Sequence, residues 1–225
     1  MKVDSGKFSA PYVDFNYLVF TPEKKPEGKL PMMIFLHGAG ERGDDTELLY
    51  VHGLPKYIRA GAEYPAIVLA PQSPADRFWP NYAFQLKELI DKAAAEYDAD
   101  PDRISITGIS MGGYGTWEMG ASYPDFFSAI APCCGGGQPW RYMCIKNLPI
   151  WTAHGDCDST VPVSESTKMF EAAKKAGLNP RLTILAGCGH DSWSEFYENT
   201  NVVEWMLGQK RGEAPRRIMS IPFAE

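Results

Sequence analysis

What this chain has little of narrows it first. Its 225 residues include only five cysteines, at 133, 134, 144, 157 and 188, an odd number with no C-x-x-C pair. A disulfide scaffold needs a denser set and a zinc site needs regular ligand spacing, so neither is expected. The thiols read as small, partly buried side chains in a reducing compartment. No apolar run approaches the roughly 18 residues of a membrane span, which excludes a helical transmembrane protein. The first ten residues, MKVDSGKFSA, lack the apolar stretch of a signal peptide. The expectation is a cytoplasmic chain, or a secreted one whose signal peptide is absent from this sequence. Basic residues are outnumbered, 22 against 28, for a net charge of −6. That balance argues against nucleic acid or an anionic membrane as the main partner. Internal repeats and low-complexity linkers are lacking too.

What is present suits a compact domain. Apolar residues make up 44% of the chain, enough for a sizeable core, and the length fits one domain. We expect a single unit over 1–225, with a short N-terminal arm at 1–11 and a tail at 211–225 packed on the surface or partly mobile. Short β-rich runs recur at Tyr12–Phe20, Met32–Leu36, Ala66–Ala70, Ile104–Thr107, Ser128–Ala131, Ile150–Ala153 and Leu182–Leu185. After the first they are nearly continuous apolar stretches, as strands buried on both faces should be. Segments of helical period lie between them. Ala83–Tyr97 puts Leu86, Leu89, Ile90, Ala93 and Tyr97 on one stripe, and Ser164–Ala176 ends at Gly177. Glu195–Leu207 reads as a last amphipathic helix. The alternation predicts a mostly parallel α/β sheet with helices on both faces. The glycine-rich stretch Pro132–Pro149 is either a rim over a site or a plain surface loop.

Gly108-Ile109-Ser110-Met111-Gly112 fits G-x-S-x-G. The pattern alone is weak, but a strand-like run precedes it and a helix-like run follows. That context is the strand–nucleophile–helix turn that projects a serine hydroxyl outward; the alternative is a serine capping a helix on a glycine-rich turn. A serine hydroxyl needs a base to act as nucleophile. In this architecture the chain order is serine, acid, histidine. Of the four histidines, 37, 52, 154 and 190, only His190 follows both Ser110 and a strand-end acid. The strand end offers Asp156 and Asp158; Asp158 is favoured, because Asp156 sits in the turn itself and suits bonding to loop backbone. His154 and Gly155 then read as supports of that turn. An oxyanion needs two N–H donors. Met111, after the nucleophile, is one, and Ala39 in HGAGERGDD is the other.

These motifs together resemble the α/β-hydrolase superfamily. Within it the chain is similar to the esterase branch of feruloyl and acetylxylan esterases (carbohydrate esterase family 1), polyhydroxybutyrate depolymerases and dienelactone hydrolases. The resemblance rests on HGAGERGDD at 37–45, APQSP at 70–74, GISMGGYGTW at 108–117, HGDCDSTVPV at 154–163 and GHDSW at 189–193. The family pattern H-G-x-x-D-x-x-V-P falls on His154, Gly155, Asp158, Val161 and Pro162, which again selects Asp158 over Asp156. Family usage also puts the oxyanion amide on Ala39. The resemblance implies a serine esterase with Ser110, Asp158 and His190 as triad, needing no metal or organic cofactor and acting on a small or carbohydrate-linked ester. Peptide or amide hydrolysis, or acyl transfer, by the same triad stays open, as does a non-catalytic ligand-binding role. Two departures stand out. The segment before Tyr12 is short, so the usual first strand is expected to be missing or frayed, and there is no long insertion for a large lid. An open cleft follows, unsuited to long acyl chains. Trp79, Trp140 and Trp193 are candidate substrate contacts, since flat indoles stack on sugar or phenolic rings. Glu41 and Arg42 are expected to pair and stiffen the oxyanion loop. The oligomeric state is left open.

Overall fold

The computed structural model describes residues 1–24 and 26–212, apart from the Cys144 side chain. The expected tail from residue 213 onward lies outside the described residues. Eight strands form one sheet: β1 (Lys2–Ala10), β2 (Val13–Thr21), β3 (Leu30–Leu36), β4 (Ile67–Gln72), β5 (Ala99–Ile109), β6 (Ala129–Cys133), β7 (Trp151–Gly155) and β8 (Arg181–Leu185). Their order across the sheet is β1-β2-β4-β3-β5-β6-β7-β8. β1 and β2 run antiparallel, as do β2 and β4, and every later pair is parallel.

The central strands are apolar without a break because both faces are covered. Along β3, Met32, Ile34 and Leu36 enter one core cluster while Met33 and Phe35 enter the other. The first cluster takes Leu86, Leu89 and Ile90 from α2 (Ala83–Glu96), Trp117 from α3 (Met111–Ser122) and Met169 from α4 (Ser164–Lys175). The second takes Leu54 and Ile58 from α1 (Gly53–Arg59), Phe196 from α5 (Ser192–Asn199) and Met206 from α6 (Val202–Leu207). Each fully buried side chain of this size contributes roughly 1.5–3 kcal/mol. The helices therefore lie on both faces, as the alternation predicted.

Three expectations are corrected. The first strand is neither missing nor frayed: β1 pairs with β2 residue for residue, from Lys2 opposite Thr21 to Ala10 opposite Val13. The helix predicted over Glu195–Leu207 is two helices. The Thr200 hydroxyl donates to the Phe196 carbonyl and accepts from the Val202 N–H, so a side chain ends one helix and starts the next. The glycine-rich stretch is not a plain surface loop. Gly135 and Gly136 are buried, and a 3-10 turn at Pro139–Cys144 anchors itself by the fully buried Tyr142, whose hydroxyl donates to the Trp117 carbonyl.

The order β4-β3-β5 reverses the direction of winding at β3. In open parallel sheets that reversal opens a crevice beyond the C-terminal strand ends. Leu36, the last residue of β3, is in register with Gly108 near the end of β5. The residues after these two strands are therefore neighbours in space.

Candidate active site

Ser110 follows β5 and heads α3, with φ 52 and ψ −115. A serine in that backbone region is strained, and the surroundings must hold it there. They do so by close approach: a side chain on Gly112 would strike the Leu36 carbonyl, and one on Gly108 would strike the Gly112 backbone. Only glycine lets the start of α3 cross these strand ends so tightly.

Two loops from the far side of the sheet reach Ser110. His190, after β8, has Nε2 at 2.9 Å from Ser110 Oγ, and its Nδ1 lies 2.7 Å from Asp158 Oδ2. Asp158, after β7, also accepts the N–H groups of Thr160 and Val161 at 2.9 Å on its other oxygen. Burial pushes the Asp158 carboxyl up, but the bonds from His190, Val161 and Thr160 outweigh it and the net shift is downward. The carboxylate is thus the form this pocket holds. Asp156 points elsewhere and accepts the Gly187 N–H at 2.7 Å. His154 is buried, with ring nitrogens 2.7 Å from the Ser166 hydroxyl and 2.9 Å from the Val161 carbonyl. It braces the turn that carries Asp158.

The loop after β3 is held by its own side chains. The His37 ring Nε2 accepts the Ser73 N–H at 2.9 Å, so the proton sits on Nδ1, which donates to the Gly38 carbonyl at 2.6 Å. Burial lowers the His37 pKa to about 4, which keeps the ring neutral. A trans peptide sets its C=O and N–H on opposite sides. Turning the Gly38 carbonyl toward His37 therefore turns the Ala39 N–H away from it. Glu41 and Arg42 do not pair with each other among the described residues. Glu41 accepts the Gly38 N–H at 2.8 Å, and Arg42 Nε donates to the Ala39 carbonyl at 2.9 Å. Two separate clamps replace the expected ion pair.

Ala39, Ser110 and Met111 line one cleft of about 360 Å³ with Phe78, Pro80 and Tyr114. Sequence reasoning missed these last three. It had singled out Trp79, which is 1% exposed, stacks with Phe15 and donates its Nε1–H to the His37 carbonyl. Trp79 belongs to the core, and its candidacy as a substrate contact is withdrawn. The 3-10 turn at Trp79–Tyr82 buries the indole and leaves Phe78 half exposed, with the Arg42 guanidinium 5.0 Å from its ring. Trp193 is likewise buried and meets the His190 ring edge-to-face at 5.4 Å. It is a wall behind the imidazole. Trp140 is exposed but is not among the residues lining this cleft.

Ser110, His190 and Asp158 are thus joined by hydrogen bonds at one end of the sheet, and Ala39 and Met111 line the same cleft as Ser110. The phospholipase/carboxylesterase family matches residues 52–202, 151 of the 225, a span that includes all three of these side chains. The chain belongs to that family of α/β hydrolases. Among individual proteins it is similar to poly(3-hydroxyalkanoate) depolymerase C of Paucimonas lemoignei, 41% identical over 66 residues, covering 29% of this chain and 15% of that one. It is also similar to acetylxylan esterase A of Talaromyces purpureogenus, 23% identical over 197 residues, covering 80% and 51%. The crystal structure of a thermostable esterase superposes with a TM-score of 0.82 at 32% identity, over 93% of this chain and 63% of that one. The chain thus spans about half the length, or less, of these curated relatives. Among the described residues, no helix is long and apolar enough to cross a membrane.

Proposed function

We propose that this hydrolase is a serine carboxylesterase working through an acyl-serine intermediate. One observation carries the proposal: the unbroken hydrogen-bond chain from Ser110 Oγ through His190 to Asp158, at 2.9 and 2.7 Å. In this proposal Ser110 attacks the ester carbonyl while His190 Nε2 takes its proton and returns it to the leaving alcohol. Asp158 keeps the ring proton on Nδ1 and stabilises the imidazolium. The Ala39 and Met111 N–H groups stabilise the oxyanion, and water then releases the acid by the same steps in reverse.

The substrate proposal is a short acyl or feruloyl or acetyl ester of a plant carbohydrate. The cleft walls support it: Phe78, Pro80, Met111 and Tyr114 suit a small apolar or aromatic acid, and 360 Å³ leaves little room for a long chain. The relatives, an acetylxylan esterase and a poly(3-hydroxyalkanoate) depolymerase, point to the same bond class. Ser110→Ala should lower hydrolysis of p-nitrophenyl acetate by about 10⁴-fold or more and abolish labelling by a fluorophosphonate, with the fold intact. Undiminished turnover by that variant would sink the assignment. A panel of acetyl, butyryl and feruloyl esters with acetylated xylan then ranks the acyl groups.

A further inference from the structure

The proposed chemistry uses Ser110, His190 and Asp158 and leaves one polar group at their side without a task. Cys134 follows β6, the strand between the two that carry Ser110 and Asp158. Its backbone has φ 42, a conformation that a non-glycine residue seldom adopts, and its N–H donates to the Ala153 carbonyl at 2.9 Å. Held so, its Sγ accepts the Ser110 N–H at 3.3 Å. Cys134 Sγ, an Asp158 carboxylate oxygen and a His190 ring nitrogen all lie within 4.8 Å of one another. Cys134 is buried, the Asp158 side chain has no exposure, and the His190 side chain is 24% exposed.

We propose that these three side chains form a binding site for a thiophilic divalent cation, Zn²⁺ being the biological example, and that occupancy switches the active site off. Thiolate, imidazole and carboxylate are the three ligand types that zinc takes in proteins. Four-coordinate zinc, with bonds of about 2.0–2.3 Å, spaces its donors roughly 3.5 Å apart. Closing the cluster therefore needs movement on the order of 1 Å. The His190 loop can supply it: residues 186–191 include no buried residue and carry Gly187 and Gly189. Water takes the fourth position.

Inhibition follows from the ring chemistry whichever nitrogen binds. Coordination at Nε2 occupies the lone pair that would accept the Ser110 proton. Coordination at Nδ1 moves the ring proton to Nε2, with the same loss. The Cys134 thiol gives up its proton to solvent as the Zn–S bond forms, and nothing is oxidised or reduced. Mg²⁺ and Ca²⁺, which prefer oxygen ligands, should not bind.

The inhibitory consequence rests on the esterase proposal; the site itself does not. Metal binding is therefore read separately, by equilibrium dialysis of Zn²⁺ against the full chain carrying Ser110→Ala. One ion per chain is expected, and Cys134→Ala or His190→Ala added to that background should weaken its binding at least tenfold. Cys157→Ala, which removes an exposed thiol, should leave it unchanged. In the active enzyme, Zn²⁺ should inhibit hydrolysis of p-nitrophenyl acetate, EDTA should restore it, and Mg²⁺ should have no effect. Should Cys134→Ala misfold, Cys134→Ser keeps the volume, and loss of the ultraviolet thiolate-to-Cd²⁺ band in that variant reports the same ligand. Zn²⁺ bound equally with and without Cys134, or lost with Cys157 instead, overturns the proposal. Cys134-dependent binding to a chain with no esterase activity would overturn the proposed function and leave the site standing.

Discussion

Residues 37–39, after β3, are held mostly by buried side chains, whereas the loop after β8 has no buried residue between 186 and 191. His37, Glu41, Arg42 and Trp79 each hold a different backbone group of residues 37–39, and both His37 and Glu41 are buried. Around His190, the backbone between 186 and 191 is held by the Gly187 N–H on Asp156, the Cys188 carbonyl on the Cys157 N–H, the Cys188 N–H on the Leu185 carbonyl and the His190 carbonyl on the Ser192 N–H. The two loops would serve opposite needs. Donors that stabilise developing charge work best when they do not have to reorganise. A general base must face the nucleophile first and the leaving group next, so its loop benefits from slack.

The hardest blow to the slack side is Asp158→Asn, which leaves the His190 ring without the partner that sets its tautomer. By analogy with other triads, kcat should fall about 10⁴-fold with KM little changed. Steady-state kinetics on p-nitrophenyl acetate would check this, and a loss below tenfold would show that Asp158 does not orient the base.

The pinned side is broken by acid. His37 has a pKa of about 4 in the fold because burial penalises its cation, against about 6.5 in an unfolded chain. Between those values the unfolded state binds the extra proton, so the contribution is complete above pH 6.5 and is lost as pH falls toward 4. The gap is worth about 3 kcal/mol at roughly 1.4 kcal/mol per pH unit. Urea unfolding at pH 7.5 and 4.5 should show most of that loss, and His37→Gln should flatten the slope. Equal slopes in both proteins would remove His37 as the acid-sensitive pin.

Asp156→Ala is the mildest test. It removes one exposed bond to the Gly187 N–H, so stability should drop by about 1 kcal/mol or less. Turnover should change only a few-fold. If instead this variant loses as much activity as Asp158→Asn, the roles of the two aspartates are reversed.

The same contrast between buried and exposed explains how far the fold was legible in the sequence. β3, β4, β6, β7 and the second half of β5 announce themselves because burial on both faces favours nearly continuous apolar runs. β1 did not, because KVDSGKFSA is mostly exposed and is held by backbone pairing to β2, which leaves no apolar period to read. The break at Thr200 was hidden for another reason. Val203 and Leu207 continue the apolar period, while the Thr200 side chain bonds to backbone on both sides of the break.

At the site, motif and chain order pointed to Ser110, Asp158 and His190, which hydrogen bonds join in the fold, and to Ala39 and Met111, which line the cleft beside Ser110, since local turn chemistry and strand order are written along the chain. By itself the sequence determined the alternation of elements, the strained turn at Ser110 and the choice of His190 among four histidines. The tertiary structure alone decided which face each aromatic presents, burying Trp79 and Trp193 while turning Phe78 and Tyr114 to the cleft. It alone also brought Cys134 within reach of Asp158 and His190. The reason is physical. Contacts between residues 24 or 56 positions apart, as from Cys134 to Asp158 or His190, depend on sheet order and loop packing, and no local pattern in the chain records them.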